Sequence, residues 1–328
     1  MRLLTFNCHE PYLYDLAKLG GELVVIDGLP GRRTASWDTR ARPVPANVEL
    51  VSIADAGRRG PFDAVVAHNL TDLLAAREVH APKVFVVHVN LRARIAEEGG
   101  NFAPSQMAED LSHYLDYVGG VAVGVSEQKL ASWGLRGSVI RPGVDPEVLS
   151  AHDGSCPRGL RVANLVSRRK KRFAWDVHLA ITEGHEVDLV GDDPELGSRP
   201  AQSFDELRAL YQGHRYYVHT ADPELEDGYN LALLEAMATG MPVVANFHPS
   251  SPVMDGVSGF VSEDPLRLRA DIGRLLRDPG LASELGRAAR QTVCAEFSLS
   301  RFLANWRDAL ERARAAFVAR HGPPRLAT

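Results

Sequence analysis

Short apolar segments alternate with stretches of helical periodicity along the first half of the chain. The apolar segments cover residues 3–7, 23–26, 48–53, 64–67, 84–89 and 121–125, and each has the length of a buried strand. Residues 12–19 and 70–79 show the spacing of helices between them. Because strands that alternate with helices form parallel sheets covered on both faces, the pattern predicts an α/β domain with a doubly wound sheet.

The same pattern starts again in the second half. Strands are predicted at residues 160–166, 186–190, 215–219, 242–246 and 259–261, with helices at 173–183, 204–211 and 231–239. Helical periodicity then dominates at 266–276, 281–293 and 302–318. We therefore expect an N-terminal Rossmann-like domain at 1–145, a C-terminal Rossmann-like domain at 146–303, and a final helical segment at 304–328 that packs back toward the first domain. Two such domains are expected to face a central cleft, with ligands at the carboxyl ends of the strands.

Composition and charge narrow the function classes. The 328 residues are 45% hydrophobic and 24% charged, as in soluble globular proteins, and no apolar run has the ~20 residues of a membrane helix. The net charge of −5 gives no general attraction to nucleic acid or anionic membranes. Cys8, Cys156 and Cys294 are far apart and form no metal-binding or disulfide pattern, so we expect a reduced, cytoplasmic protein.

Residues 224–245 are predicted to form a loop, a helix, a tight turn and a strand. Gly228 permits a turn before the helix, and Gly240 follows the last helical residue at a C-cap position. N–H groups at a helix start have no partner inside the helix and attract anions. The peptide groups of Gly228, Tyr229, Asn230 and Leu231 therefore form a candidate diphosphate site.

Two carboxylates frame this helix start. Asp227 precedes it, and Glu235 lies about two turns inside, among apolar neighbours. Burial of such a carboxylate is costly unless it accepts hydrogen bonds, which adjacent ribose hydroxyls can donate. The alternative is an exposed Glu on an ordinary amphipathic helix.

A basic run at residues 167–172 follows the predicted strand at 160–166. A diphosphate leaving group gains negative charge as its bond to a sugar breaks, and Arg or Lys stabilises this charge where no metal does. A solvated basic loop or a nucleic-acid contact are the alternatives.

The letters D-G-Y-N-L-A-L-L-E-A-M-A-T-G-M-P-V-V-A at 227–245 resemble the signature of family 4 retaining glycosyltransferases, which belong to glycosyl transferases group 1. Residues 141–145, 254–261 and 297–302 are similar to further segments of that family. The resemblance spans residues ~140 to ~318. It implies a GT-B fold and a metal-independent transfer of a hexose. The nucleoside-diphosphate sugar that donates the hexose is a substrate, and no cofactor is implied.

Roles for individual residues follow from this resemblance. Glu235 binds the ribose, and Asp227, where the family usually has Glu, contacts the transferred sugar. Arg168 binds phosphate together with Lys170, Lys171 or Arg172, because the register after Arg168 is open.

Histidines follow several strands of the first half. His88 ends the strand at 84–89 and is expected to touch the donor sugar or lie near the acceptor, and His68 and His9 hold similar positions. Gly191-Asp192-Asp193 is compatible with magnesium, but its similarity to a family turn favours a turn near the nucleotide base. We therefore predict no metal ligands.

The expected function is a retaining glycosyltransferase whose acceptor, a glycan, a lipid-linked sugar or a small molecule, is not identified. The first domain departs from the family at residues 8–12, and its acidic segment at 96–117 carries no membrane-docking signal. A GT-B sugar-nucleotide epimerase or phosphorylase, and a catalytically silent nucleotide-sugar-binding or scaffold protein, are the alternatives. No nucleic-acid partner is expected. The nucleotide base, the sugar, the linkage and the oligomeric state stay open.

Overall fold

The computed structural model describes residues 1–32, 36–99 and 103–322. The chain divides into two compact units, Met1–Arg141 with Ser300–Thr328, and Pro142–Leu299. The sequence placed these divisions after residues 145 and 303. The end of the predicted final segment, residues 323–328, lies outside the described residues.

The first unit is built on a parallel sheet. Its described strands are β1 (Arg2–Phe6), β2 (Glu22–Ile26), β3 (Val48–Val51), β4 (Ala64–Ala67), β5 (Lys83–Val87), β6 (Val121–Gly124) and β7 (Gly137–Val139). They lie in the order β3-β2-β1-β4-β5-β6-β7, and every pairing is parallel. Strand β7 was not predicted, since its three residues include Gly137 and form no apolar run.

Helices cover both faces of this sheet, as the alternating pattern predicts. They are α1 (Glu10–Ala17), α2 (Ile53–Ala56), α3 (Leu70–Ala75), α4 (Leu91–Glu98), α5 (Pro104–Val118) and α6 (Glu127–Ser132). Residues of β4 and β5 are buried along the whole of both strands. Apolar side chains on both sides of a strand explain the continuous hydrophobic runs of the sequence.

The second unit repeats the architecture with a smaller parallel sheet. Its described strands are β8 (Cys156–Val162), β9 (Val187–Val190), β10 (His214–His219), β11 (Val243–Asn246) and β12 (Gly259–Ser262), in the order β12-β11-β10-β8-β9. Its helices are α7 (Trp175–Thr182), α8 (Phe204–Gly213), α9 (Leu231–Thr239), α10 (Pro265–Arg277) and α11 (Pro279–Glu296). Two α/β units, each with a parallel sheet, confirm the predicted fold class.

The first strand of the second unit differs from its prediction at 160–166. Strand β8 ends at Val162, although the apolar run continues through Leu165 and Val166. Leu165 has a φ of 55°, in the left-handed region, so the chain leaves the sheet before the apolar run ends.

The last helix, α12 (Leu299–His321), packs on the first unit. Phe302 and Trp306 are buried, and the ring of Phe302 lies 5.4 Å from that of Tyr12, edge to face. Arg312 donates a hydrogen bond to Ser138 at 2.8 Å. Among the described residues, no helix has both the length and the apolar character that a bilayer crossing requires.

Candidate functional site

The order of strands in the second unit points to one region of its sheet. Strand order reverses between β8 and β10, and ligands of doubly wound sheets bind outside the carboxyl ends of the strands at such a point. The loop after β8 contains the basic run at 167–172, and the loop after β10 leads through Asp227 into α9. The two segments that the sequence singled out therefore follow neighbouring strands.

The basic loop has a defined backbone. Residues Ser167–Arg169 form a short 3-10 helix, and the Ser167 N–H donates to the buried Asp193 carboxylate at 2.6 Å. Leu165 and Ala174, with φ of 55° and 42°, flank the loop and are the non-glycine residues with positive φ in the described chain. Strained backbone of this kind persists where the surrounding structure enforces it, often at functional sites.

Asp193 belongs to the turn after β9 that was also compatible with magnesium. Burial opposes its ionisation, but hydrogen bonds from Ser167 lower the pKa of Asp193 below its usual value. Its carboxylate therefore fixes the start of the basic loop, which supports the turn interpretation of Gly191-Asp192-Asp193.

A buried ion pair ties the basic loop to the loop before α9. The Nε of Arg172 donates to Oε2 of Glu226 at 2.5 Å, and both side chains are buried. Arg172 is paired with Glu226, which favours Lys170 or Lys171 as the second phosphate ligand that the sequence left open. Arg168, Lys170 and Lys171 are exposed and remain the predicted phosphate ligands.

The start of α9 is built by Asn230 and Gly228. The Asn230 side chain caps the helix by accepting the Leu233 N–H at 2.8 Å. The Gly228 N–H donates to Ser250 Oγ at 2.9 Å, and its predicted role toward a diphosphate stays a prediction. A Cβ at Gly228 would lie 2.7 Å from His248 Nδ1, and only glycine fits this approach.

The two carboxylates that frame α9 are both buried. Asp227 is 0% exposed and Glu235 is 5% exposed, so the alternative of a solvated Glu on an amphipathic helix is wrong. Tyr229 packs edge to face on Phe297, with ring centroids 5.1 Å apart. The Tyr229 ring belongs to the core, so only the backbone of Tyr229 is available to a ligand. The sequence predicted a backbone contact to a diphosphate at this position.

A buried arginine lies beneath the basic loop and was not predicted from the sequence as part of the site. Arg161 of β8 donates to Thr220 Oγ1 at 2.6 Å and to the Phe173 carbonyl at 3.2 Å. Burial lowers the pKa of Arg161 to about 10, and its guanidinium lies 5.5 Å from the Trp175 ring centroid. The signal was an Arg inside an apolar strand. This side chain connects the loops after β8 and β10 from below.

The first unit gathers three side chains at the carboxyl ends of β1, β4 and β5. Cys8, His68 and His88 each offer one ligand atom, and these atoms lie within 4.8 Å of one another. Strand order reverses between β1 and β4, so the cluster occupies the position where ligands bind in such sheets. The sequence singled out His88 and His68 separately and did not connect them with Cys8.

Hydrogen bonds fix the orientation of the two imidazoles. Thr5 Oγ1 donates to the Val66 carbonyl at 2.9 Å, so it accepts the 2.8 Å hydrogen bond from the Nε2–H of His68. His68 Nδ1 is then the unprotonated nitrogen, and it lies 2.8 Å from His88 Nε2. Burial lowers the pKa of His68 to about 3 and that of His88 well below its usual value, whereas it raises that of Cys8.

The predicted site residues therefore fall into two groups. Asp227, Glu235, Arg168, Lys170 and Lys171 belong to the second unit, and His88 belongs to the first. A cavity of about 430 Å³ lies along the edge strand β9, lined by Val187 and Leu196 among others, and its lining includes neither Asp227 nor Glu235.

A family model described as Glycosyl transferases group 1 matches residues 184–278, from just before β9 to just after α10. This stretch, the group 1 segment, covers less than a third of the chain. The group 1 segment contains Asp227, the start of α9 and Glu235, whereas the basic loop at 167–172 precedes it.

Curated relatives match part of the chain. A D-inositol 3-phosphate glycosyltransferase of Salinispora arenicola is 34% identical over 122 residues, covering 36% of this chain and 26% of that protein. The enzyme of the same name from Salinispora tropica is 35% identical over 149 residues, covering 40% of this chain and 30% of that protein. The chain thus matches less than a third of the length of these relatives.

Solved structures match nearly the whole chain at low identity. HepE of Anabaena, solved with UDP and glucose, superposes with a TM-score of 0.70 over 95% of this chain and 99% of that chain, at 16% identity. Sucrose-phosphate synthase of Thermosynechococcus elongatus gives 0.66 over 96% and 100%, at 14% identity. The chain therefore has the GT-B fold, in which the group 1 segment is part of the second Rossmann-like domain.

Proposed function

We propose that this chain is a retaining, family 4 glycosyltransferase that binds a nucleoside-diphosphate sugar on its second unit and transfers the sugar, a hexose, to an acceptor hydroxyl. The observation that carries the proposal is the buried pair Asp227 and Glu235 around the start of α9, at the carboxyl end of β10. Carboxylate oxygens accept hydrogen bonds, and the hydroxyls of a ribose and of a sugar can donate them at this end of the sheet.

Each part of this site has a role in the proposal. Glu235 accepts hydrogen bonds from the ribose hydroxyls, and Asp227 from hydroxyls of the transferred sugar. The diphosphate lies at the N-terminus of α9, where the helix dipole and the peptide groups of Tyr229 to Leu231 favour negative charge. Arg168, Lys170 and Lys171 supply positive charge from the basic loop, whose position is fixed by Asp193 and by the pair Arg172–Glu226.

In the proposed reaction, a bond forms between the acceptor oxygen and the anomeric carbon while the bond from that carbon to the diphosphate breaks. The leaving diphosphate takes up negative charge, which the basic loop stabilises without a divalent metal on the phosphates. The acceptor attacks from the same face and passes its proton to the leaving phosphate. No protein base is therefore required.

The names of similar proteins guide the choice of substrates. HepE was solved with UDP-glucose, so uridine nucleotides are tested first as donors. The curated relatives are D-inositol 3-phosphate glycosyltransferases, so an inositol phosphate is one small-molecule acceptor to test beside glycans and lipid-linked sugars. We propose a cytoplasmic site of action, where nucleotide sugars and reduced cysteines occur together.

Thermal stabilisation by a panel of nucleoside diphosphates tests donor binding. A ligand at about 100 times its Kd stabilises a protein by ~2.7 kcal/mol, so a true ligand raises the Tm measurably. We expect one nucleotide to stabilise the wild type and not Glu235→Ala, while the exposed control Glu284→Ala responds like the wild type. If the nucleotide stabilises Glu235→Ala as much as it stabilises Glu284→Ala and the wild type, Glu235 does not bind it and the assigned site is contradicted.

An activity assay distinguishes the candidate functions. The protein is incubated with the sugar nucleotide that contains the stabilising nucleoside diphosphate, and cell extract supplies the acceptors. Sugar incorporation into an acceptor supports a transferase. Conversion of the sugar nucleotide without an acceptor supports an epimerase. Binding without either reaction supports the silent protein that Asp227, one methylene shorter than the family's usual Glu, leaves as a second candidate.

A further inference from the structure

We propose that Cys8, His68 and His88 form a zinc site in the first unit, with three protein ligands and a fourth position open to water or to an oxygen of a small molecule. A thiolate with two imidazoles is a donor set that suits Zn²⁺, and three protein ligands leave the coordination open. The proposed donor-binding residues Asp227 and Glu235 and the basic loop belong to the second unit, whereas His88 of the first unit is also the residue that the sequence placed near the sugar or the acceptor.

The topology of the sheet brings these ligands together. Cys8 follows β1, His68 follows β4 and His88 follows β5, which are neighbouring strands at the point where strand order reverses. Their ligand atoms already lie within 4.8 Å of one another. Tetrahedral zinc, with bonds of about 2.0–2.3 Å, separates such atoms by about 3.3–3.6 Å. Binding of the ion therefore requires His68 Nδ1 and His88 Nε2 to move apart from their present 2.8 Å by about 0.5 Å.

A second layer of hydrogen bonds orients one ligand toward the ion. Thr5 is 0% exposed and accepts the Nε2–H of His68, so the Nδ1 lone pair of His68 points toward His88. Metal-bound histidines usually donate their other ring N–H to an oxygen in this way. The thiol proton of Cys8 leaves on zinc binding, and the proton on His88 Nε2 moves to Nδ1, so that both atoms bind as unprotonated donors.

Surrounding contacts hold the cluster in place. The ring of Tyr12 meets those of His88 and His68 edge to face, with centroids 4.8 and 5.9 Å away. The Asp72 carboxylate accepts the His68 backbone N–H at 2.9 Å and thereby fixes the backbone of this ligand. An aromatic wall and a fixed backbone keep the ligands close before an ion arrives, which lowers the cost of assembling the site.

Cobalt substitution of the tag-free, full-length protein tests the site directly. The protein is stripped of metal with a chelator and titrated with Co²⁺, whose bond to a thiolate gives a near-ultraviolet charge-transfer band. We expect one Co²⁺ per chain, with this band and with visible absorption of a tetrahedral ion, and displacement of Co²⁺ by Zn²⁺. Absence of a saturable band in the wild type would overturn the proposal.

Variants decide which residues bind the ion. Cys8→Ser is expected to lose the charge-transfer band and His88→Gln to lose saturable binding, whereas Cys156→Ser and Cys294→Ser keep both. Thr5→Val, which removes only the oriented hydroxyl, is expected to weaken binding about 10- to 100-fold. Thermal melting of the metal-free variants shows whether each is folded. A band that survives in folded Cys8→Ser contradicts the proposal. Such a result would place the ion at another cysteine.

Discussion

Arg172 and Glu226 form a buried ion pair that joins the basic loop after β8 to the loop before α9. Glu226 also accepts the backbone N–H of Asp227 at 3.0 Å, so the same carboxylate positions one of the two proposed donor-binding residues. Through this pair, the loop that carries Arg168, Lys170 and Lys171 and the loop that carries Asp227 are fixed relative to each other within the second unit.

Removal of one partner is therefore expected to destabilise the protein strongly. In Glu226→Ala the guanidinium of Arg172 stays buried without its carboxylate, and such losses cost about 3–5 kcal/mol. The double variant Arg172→Met with Glu226→Leu is expected to recover much of this loss, because no charge is left buried. Denaturant unfolding of both single variants and the double variant measures the coupling energy.

The exposed pair Arg199–Glu206, at 64% and 30% exposure, is the control for this cycle. Pairs of this type contribute about 0–1 kcal/mol, so the coupling energy between Arg199 and Glu206 is expected to be small. A coupling energy for Arg172–Glu226 no larger than that of the control would show that the buried pair does not fix the two loops.

Gly228→Ala is expected to destabilise the protein and weaken nucleotide binding. The added Cβ would lie 2.7 Å from both His248 Nδ1 and the Ser251 backbone nitrogen, so the loop before α9 must move. Overpacking of this kind costs about 1–3 kcal/mol. Chemical denaturation and the nucleotide thermal-shift assay measure the two effects.

Gly213→Ala is the matched control. Gly213 lies at the end of α8, and its added Cβ meets no atom within 4 Å. Because alanine favours a helix over glycine, this variant is expected to be neutral or more stable by up to about 1 kcal/mol. Similar losses in both glycine variants would argue against a specific close approach at Gly228.

The sequence predicted the elements of the site better than its contacts. The bounds of α9, Leu231–Thr239, were predicted correctly, because Gly240 ends the helix and the apolar periodicity starts after Asn230. The fold class followed from buried strands that alternate with helices. The pairing of Arg172 with Glu226 was not predictable, because neither residue type indicates its partner across a distance of 54 positions. The same reason hid Cys8, which shows no metal-binding spacing with His68 or His88.

Acid is expected to destabilise the second unit through His178. Burial lowers the pKa of His178 to about 2, and its ring stacks on Trp175 at 4.3 Å. The unfolded chain binds a proton at His178 below pH ~6.5, whereas the folded chain does not until the pH nears 2. The stability contribution of the neutral ring is therefore complete above pH ~6.5 and falls by up to ~1.4 kcal/mol for each pH unit below it.

Unfolding curves between pH 7.5 and 5.0 check this dependence. His178→Phe keeps an aromatic ring beside Trp175 and removes the titrating group, so it is expected to lose about 2 kcal/mol less than the wild type on acidification. His113→Gln, at an exposed position of α5, retains the buried imidazoles and should follow the wild type. Identical slopes for wild type and His178→Phe would show that His178 does not remain neutral in the folded protein.

Ala174→Gly is expected to stabilise the protein, although glycine normally weakens a helix. Ala174 precedes α7 with φ 42° and ψ 55°, a left-handed conformation that costs an L-residue about 1 kcal/mol and glycine almost nothing. Relief of this strain exceeds the cost of the added entropy of the unfolded chain, so we expect a net gain of about 0.5 kcal/mol. Ala180→Gly, inside the same helix, is the control and should lose about 1 kcal/mol. If both variants lose stability equally, the backbone at Ala174 is not strained. If Ala174→Gly gains stability but binds the nucleotide more weakly, the stiffness of alanine at this position serves to hold the basic loop in its binding conformation.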